Sequence, residues 1–130
     1  MTTFDEGTRR ILDGRNFASV ATLNPDGSPH TAVVWIGRDG DTVEFSTTAT
    51  RQKARNLARD PRLSLAVFDM ANPYDAVEIR GRAELVDDPD KSLPRALSHK
   101  YRGEDPPPEP DEIERLKVRV TPQKVNRFTA

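Results

Sequence analysis

One stretch of the chain gathers the side chains best suited to binding an anion. Hydroxyl and basic residues surround a predicted helix start, at Thr47, Thr48, Thr50, Arg51 and Lys53. Threonine is a helix-capping residue type, and residues 51–58 are predicted to form the helix. The helix dipole leaves partial positive charge at this end, so each basic residue there costs about 0.3–1 kcal/mol. An anion on the free backbone N–H groups would reverse that cost, which indicates a phosphate site; a solvated basic helix face is the alternative interpretation.

Conventional catalytic machinery is not evident in the sequence. The two histidines, His30 and His99, do not fall in a metal-ligand spacing and there is no cysteine, so no metal site is expected. Neither a G-x-S-x-G motif nor a glycine-rich nucleotide-binding motif occurs. The aspartates within residues 87–90 are interpreted as the cap and first-turn charge of a helix. The chain is therefore either not an enzyme or takes its reactive atoms from a cofactor.

Two aromatic residues could contact a flat ligand. Trp35, the only tryptophan, lies among Val33, Val34 and Ile36, and the favoured interpretation is a core aromatic. Tyr74 lies in a proline-containing segment, 70–74, that is predicted to be a loop. There it could contact a flat ligand or another subunit, but an exposed loop tyrosine is common and carries little weight.

Composition is that of an ordinary soluble domain. The chain has 130 residues and a formal net charge of −1, which argues against a general nucleic-acid or membrane binder. One domain over residues 1–130 is expected, with a modest core that an oligomeric partner would help to bury. The first residues lack a basic leader followed by an apolar segment, and no later run reaches membrane-spanning length. The expected compartment is the cytoplasm.

The segments that must position these residues are mostly short strands. Six strands are predicted, at 17–23, 31–37, 42–46, 62–69, 75–86 and 116–120, the last with a continuation at 124–128. The sequence Asn24-Pro25-Asp26-Gly27 predicts a hairpin turn between the first two strands. Gly81 indicates a bulge or bend inside the fifth strand, whereas the dipeptide 121–122, Thr-Pro, is expected to break the sixth.

Helices and a loop complete the prediction. A capping-box pattern, Thr3 with Glu6, predicts a first helix that ends at Gly14, and a third helix is predicted over 88–101. The proline-rich segment 102–110 cannot hold regular hydrogen bonding and is expected to be an exposed loop. Short strands joined by tight turns, with a few helices at the periphery, predict a mainly β chain that forms a small antiparallel barrel.

Several motifs together resemble one known family. They are A-T-L-N-P-D-G-S-P-H (21–30), V-V-W (33–35), F-S-T-T-A-T-R-Q-K-A-R-N-L-A-R-D-P-R-L-S-L (45–65), N-P-Y-D-A-V-E-I-R-G-R-A (72–83) and V-T-P-Q-K-V (120–125). The string R-x-K-x-R-N-L-x-x-D-P-R is the most specific of them. On these motifs nearly the whole chain resembles the pyridoxamine-5′-phosphate-oxidase-like split β-barrel family, in the branch that binds the deazaflavin coenzyme F420. The resemblance implies a six-stranded split barrel, a homodimer and cofactor grooves at the dimer interface.

The resemblance also assigns roles to individual residues. Arg51 and Lys53 would be the main partners of the cofactor phosphate, which suits the paired N–H groups of arginine and the compact charge of lysine. Lesser contacts in this segment would come from Ser46, Thr47, Thr48 and Arg55. Asn56 would support the loop, and Tyr74 or its neighbours from the other subunit would close the groove. The cofactor ring would lie against Val33, Val34 and Trp35.

The activity that the resemblance implies is hydride transfer. The chain would be an F420-dependent oxidoreductase, specifically a reductase that passes a hydride to an unsaturated small molecule. Proteins of this fold also bind FMN, so an FMN-dependent oxidoreductase is one alternative. A non-catalytic F420 or flavin carrier is another, while pyridoxamine phosphate oxidation is disfavoured because the chain is short. No residue is identified as a proton donor.

Overall fold

The computed structural model describes residues 2–129 and is built mainly from β-strands. The strands are β1 (Ala18–Leu23), β2 (Pro29–Val34), β3 (Gly37–Asp39), β4 (Thr42–Thr48), β5 (Arg62–Asp69), β6 (Asn72–Asp87) and β7 (Arg115–Thr129). The helices are α1 (Glu6–Asp13), α2 (Gln52–Arg59) and α3 (Ser92–Arg102). The predicted mainly β fold with peripheral helices is confirmed. Across residues 2–129, no helix combines the length and the apolar character needed to cross a membrane.

All seven strands belong to one antiparallel sheet in the order β2-β1-β5-β6-β7-β4-β3. The end strands β2 and β3 do not pair with each other, so within residues 2–129 the sheet curves around a core without closing. The predicted number of six strands is corrected to seven. The reason is that Gly37–Asp39, expected as a strand end and a turn, pairs with β4 as a short strand of its own.

The core lies between the curved sheet and the helices α1 and α2. Its largest fully buried side chains are Phe4, Phe45, Ile11, Leu12, Ile36, Leu65 and Ile79. They come from the α1 segment as well as from the strands, which is why a short amphipathic helix is held against the sheet. Burying each such side chain contributes about 1.5–3 kcal/mol to folding.

The first hairpin forms as its sequence predicts. Gly27 N donates to Asn24 O at 2.9 Å, and Gly27 has a φ of +86°, which glycine tolerates without strain. The Asp26 carboxylate accepts from Ser28 N at 2.9 Å. The turn therefore sets the register of β1 against β2, with Leu23 opposite Pro29.

Gly81 lies where the register of the longest strand pair, β6 with β7, shifts by one residue. A Cβ at this position would lie 2.3 Å from Thr121 O, so only glycine fits. The predicted irregularity is thus confirmed. The predicted break at 121–122 is wrong, because Pro122 lies opposite Gly81 at the shift, where a missing N–H is tolerated and β7 continues.

Helix starts and one loop differ from the sequence prediction in detail. Helix α1 is capped by Asp5, whose carboxylate accepts from Thr8 N at 2.7 Å, rather than by a box that starts at residue 3. The segment 70–74 is largely strand, because β6 begins at Asn72 directly after a tight turn. Helix α3, predicted from residue 88, begins at Ser92 after its N-cap residue Lys91. Asp88 still accepts from the backbone N–H groups of residues 92 and 93, at 3.0 and 2.9 Å, so it satisfies the first turn from upstream of the helix.

Candidate functional site

A cleft of about 440 Å³ opens where β2, β4, α2, α3 and the proline-rich loop meet. It brings together eight of the predicted site residues, namely Val33, Val34, Trp35, Ser46, Thr47, Thr48, Arg51 and Lys53. Phe17, Pro94, Leu97, Pro106 and Arg115 complete the lining. The cleft has an apolar side formed by the aromatic and aliphatic residues and a basic end at the start of α2.

The basic end is built by the junction of β4 and α2. Arg51 is the N-cap residue of α2, and its side chain makes no capping hydrogen bond. The predicted threonine cap of α2 is therefore wrong. Thr47 and Thr48 belong to β4, several residues before the helix begins. No acidic residue lies in the first turn, and among residues 2–129 neither Arg51 nor Lys53 forms an ion pair. Two cations thus face the positive end of the helix dipole without compensation.

Lys53 shows the electrostatic consequence of this arrangement. Burial lowers the pKa of Lys53, and the neighbouring positive charges of Arg51 and Arg115 lower it further. Each cause acts against the charged form of the amine. A bound anion would favour that form, so the site is chemically matched to a phosphate or carboxylate group.

Two hydroxyl groups at this end also lack partners. Ser46 Oγ and Thr47 Oγ1 are buried, and neither finds a hydrogen-bond partner within the described chain. A buried hydroxyl left unpaired costs about 1–3 kcal/mol, so it is a feature that needs an explanation. Both residues line the cleft, so these hydroxyls are candidates to donate to the acceptor oxygens of a ligand bound there.

The apolar side depends on a stack of two aromatic rings. Trp35 and Tyr101 lie with ring centroids 5.1 Å apart and 5° between the ring planes. Trp35 is only half-buried and lines the cleft, so the favoured interpretation as a core aromatic is not what the structure shows. A half-buried indole offers a flat apolar surface to a ligand ring.

Three predicted site residues lie outside this cleft. Asn56 is wholly buried, and its amide donates to Thr22 Oγ1 and Asn24 Oδ1, both at 3.0 Å. It therefore fastens α2 to the first hairpin. The Arg55 guanidinium donates to Gln52 Oε1 at 2.5 Å along the surface of α2. Tyr74 is 66% exposed on β6 and does not line the cleft of this single chain.

Arg115 is the main residue that sequence reasoning missed. It begins β7 opposite Thr48, and only the pairing of β7 with β4 brings it to the cleft. No local signal marks that pairing, because the two segments are far apart in the chain. The proline-rich segment was expected only as an exposed loop, yet its Pro106 forms part of the lining. Among residues 2–129 no cluster of histidine and acidic side chains could hold a metal ion.

Comparison with known proteins identifies the family to which the chain is similar. Residues 4–128 match the family model described as pyridoxamine 5′-phosphate oxidase. The pyridoxine/pyridoxamine 5′-phosphate oxidase of Cupriavidus taiwanensis is 34% identical over 86 residues, which are 65% of this chain and 40% of the relative. A second curated relative of the same name, from Anaplasma phagocytophilum, is 38% identical over 69 residues, 52% of this chain and 33% of the relative. The matches therefore span well under half of these longer proteins.

Solved structures extend the likeness to the whole chain. A protein named F420 reductase has a TM-score of 0.86 and 32% sequence identity, covering 95% of this chain and 98% of its own. A conserved hypothetical protein of Mycobacterium tuberculosis has a TM-score of 0.80 and 25% identity, covering 99% of this chain and 86% of its own.

Proposed function

Because the chain belongs to the pyridoxamine 5′-phosphate oxidase family, we propose that it is an F420-dependent oxidoreductase that acts as a reductase on an unsaturated small molecule. The observation that carries the proposal is the basic end of the cleft. Two unpaired cations and two unpartnered buried hydroxyls of the described chain meet there beside an apolar aromatic surface. Such a combination suits a ligand with a phosphate at one end and a flat ring at the other.

The residues present fit such a cofactor. Arg51 and Lys53 would hold the phosphate, and the hydroxyls of Ser46 and Thr47 would gain the acceptor oxygens that they lack. Thr48 lies beside them in the lining, while the ring would lie against the Val33, Val34 and Trp35 side of the cleft. Arg55 and Asn56 would act through the shape of α2 rather than by contact with the cofactor.

F420 is preferred over FMN as the cofactor because the similarity to the F420 reductase covers more of both chains than the similarity to the oxidases. The protein named F420 reductase matches over 95% of this chain and 98% of its own, whereas the pyridoxine/pyridoxamine 5′-phosphate oxidases match over 40% or less of their length. An FMN-dependent oxidoreductase of the same fold is the alternative cofactor assignment. A non-catalytic F420 or flavin carrier is the alternative without turnover.

When bound, F420 would supply the hydride chemistry, so the protein's own part is binding and orientation. The titratable residues that line the cleft are Arg51, Lys53 and Arg115, all of them basic. These side chains are suited to holding an anion, and the lining that residues 2–129 provide offers no carboxylate or histidine for acid–base catalysis. The proton of the product would come from solvent. The proposed compartment is the cytoplasm.

We also propose that the protein is a homodimer. The register of three adjacent strands places Phe68, Ala76 and Phe128 in one row on the outer face of the sheet. Phe68 is 47% exposed and Phe128 is 62% exposed, and Tyr74 lies next to the row at the start of β6. Contiguous exposed apolar side chains of this kind are typical of a protein interface. Val33, also exposed, belongs to the same outer face and to the cleft, so a second copy would adjoin the cleft.

The proposal is tested by binding first and turnover second. Fluorescence titration should show tighter binding of F420 than of FMN, and Lys53→Ala should weaken F420 binding about tenfold by removing a charge-assisted contact. Arg9→Ala, which removes the same charge on α1 away from the cleft, should change nothing. Tighter binding of FMN would transfer the proposal to the flavin alternative, and binding of neither would overturn it. Reduced F420 is then supplied with a panel of enones, quinones and tetrapyrroles, where an absence of consumption would favour the carrier.

A further inference from the structure

We propose that Arg115 is a third phosphate-selecting cation of the cleft and that Glu109, in the proline-rich loop, holds it in position. This inference rests on the proposed function, since it concerns the anionic group of the same cofactor. It assigns a binding role to one residue and a positioning role to another. It also gives the proline-rich loop a task in ligand recognition.

Strand pairing brings Arg115 to the basic end of the cleft. It pairs with Thr48 across β4 and β7, so it lies at the end of the strand that carries the two unpartnered hydroxyls. It lines the same cleft as Arg51 and Lys53. After burial and Arg51, the positive charge of Arg115 is a further cause of the lowered pKa of Lys53. Three positive groups therefore surround one small volume.

Arg115 is held along one edge of its guanidinium by Glu109. Arg115 Nε and Nη2 donate to the two carboxylate oxygens of Glu109, each at 3.0 Å. This contact uses two of the five guanidinium N–H groups and leaves three without a partner within residues 2–129. A guanidinium gripped along one edge loses little further rotamer freedom when a second anion binds its remaining donors.

Glu109 of the proline-rich loop is shared between two cations, Arg115 and Lys91. Lys91 Nζ lies 3.2 Å from Glu109 Oε1 and donates to Pro110 O at 3.1 Å. Hydrogen bonds from Arg115 and then from Lys91 lower the pKa of Glu109 to about 2, so the carboxylate stays ionised at neutral pH. With two cations on one carboxylate, the group keeps one net positive charge. Arg115 is the member of this group that lines the cleft.

The test compares ligands that differ by the phosphate. Affinities are measured by fluorescence for F420 and for the deazaflavin that lacks its phosphate-bearing extension, with FMN and riboflavin run in parallel. Arg115→Gln should weaken binding of the phosphorylated member of a pair about tenfold and leave the phosphate-free member within about twofold. Arg115→Lys keeps the positive charge without the paired N–H donors of the guanidinium, and it should lose less affinity for the phosphorylated ligand. Arg95→Ala, on the loop side of α3 and outside the cleft lining, is the matched control and should match the wild type.

Glu109→Gln separates positioning from simple charge. If the carboxylate only opposed the ligand's charge, its loss would strengthen phosphate binding, whereas a positioning role predicts weaker binding. The positioning role also predicts that Arg115→Lys costs less affinity when it is added to Glu109→Gln than when it is made in the wild type, because the paired grip is already lost.

Three outcomes decide between the inference and the proposed function. The inference is overturned if Arg115→Gln binds the phosphorylated ligand as tightly as the wild type does. It is also overturned if the variant loses affinity equally for the phosphorylated and the phosphate-free ligand of a pair. A wild type that binds neither phosphorylated ligand would instead remove the proposed function. If Lys53→Ala weakens binding and Arg115→Gln does not, the proposed function is kept and only this inference fails.

Discussion

Trp35 and Tyr101 form a parallel stack, and the tyrosine is fixed at its far end by two backbone groups. Its hydroxyl donates to Asn16 O at 2.6 Å and accepts from Ile36 N at 3.1 Å. The ring, which belongs to α3, is thereby tied to the segments that follow α1 and β2. The apolar side of the cleft is consequently supported by hydrogen bonds that lie outside it.

We expect Tyr101→Phe to keep the stack and lower the stability. The substitution leaves the N–H of Ile36, a fully buried residue, without its partner, which costs about 1–3 kcal/mol. Urea unfolding measures that loss, while the emission of Trp35, the only tryptophan, should not move in the native state. Tyr101→Ala, in contrast, should shift the emission to longer wavelength. Equal stability of Tyr101→Phe and the wild type would contradict the account.

Lys53 should lower the free energy of unfolding of the ligand-free protein. Its folded pKa is lowered, chiefly by burial, so the protonated amine destabilises the native state. Lys53→Met, which keeps an apolar stem, should raise the free energy of unfolding by about 0.3–1 kcal/mol at neutral pH. The gain should shrink as the pH rises through the folded pKa, because the wild-type amine then loses its proton. Lys124→Met, at an exposed position of β7, serves as the control in the same unfolding series.

Lys100 should give the stability a distinct alkaline dependence. Its ammonium donates to Leu12 O at 2.8 Å and Ile36 O at 2.7 Å, and burial lowers its pKa to about 8. Between about pH 8 and the unfolded value the unfolded chain binds more protons, so this group makes stability rise with pH over that window. Lys100→Met should remove this rise. The measurement is the difference between the free energies of unfolding of the wild type and the variant from about pH 7 to about pH 9.5. If the free energy of unfolding changes with pH in the same way in both proteins, the ammonium is well solvated.

Gly81→Ala should destabilise the sheet at its register shift. The added Cβ would meet the backbone oxygen of Thr121 at 2.3 Å, and backbone cannot yield as a flexible side chain does. A loss of about 1–3 kcal/mol is expected by analogy with overpacked cores, measured as a shift of the urea midpoint. Gly37→Ala meets only Leu97 Cδ2 at 3.5 Å and should be nearly neutral. A neutral Gly81→Ala would mean that the strands can slide apart locally.

The apolar row on the sheet should determine the oligomeric state. Light scattering after size exclusion should give the mass of two 14.6 kDa chains for the wild type. Phe68→Asp combined with Phe128→Asp should give one chain, because charges cannot be buried unpaired at an interface. Ala96→Asp, exposed on α3, should stay dimeric. A monomeric wild type would remove the dimer from the proposal.

Local chemistry made much of this fold predictable. The Asn24–Gly27 turn, the irregularity at Gly81 and the hydrogen bonds of Asp88 to the first turn of α3 each follow from what one residue type can do with its neighbours. The family resemblance read from the motifs is confirmed by the match over residues 4–128. Arg51 and Lys53, which are close together in the chain, line one cleft, while their role toward a phosphate stays a prediction.

What escaped prediction depends on contacts between distant segments. Arg115 reaches the cleft only through strand pairing, and Tyr101 reaches Trp35 only through the packing of α3. Pro122 was expected to end a strand, since its place opposite a glycine cannot be read from the proline alone. A residue's own type fixes its local geometry, whereas its neighbours across the fold are set by the whole chain.

The buried amide of Asn56 has a mechanical consequence. By joining Thr22 and Asn24 to the middle of α2, it makes the first hairpin and this helix one cooperative unit. Steadying the helix start with an anion would therefore slow amide hydrogen exchange at the hairpin, on the far side of that linkage from the ligand.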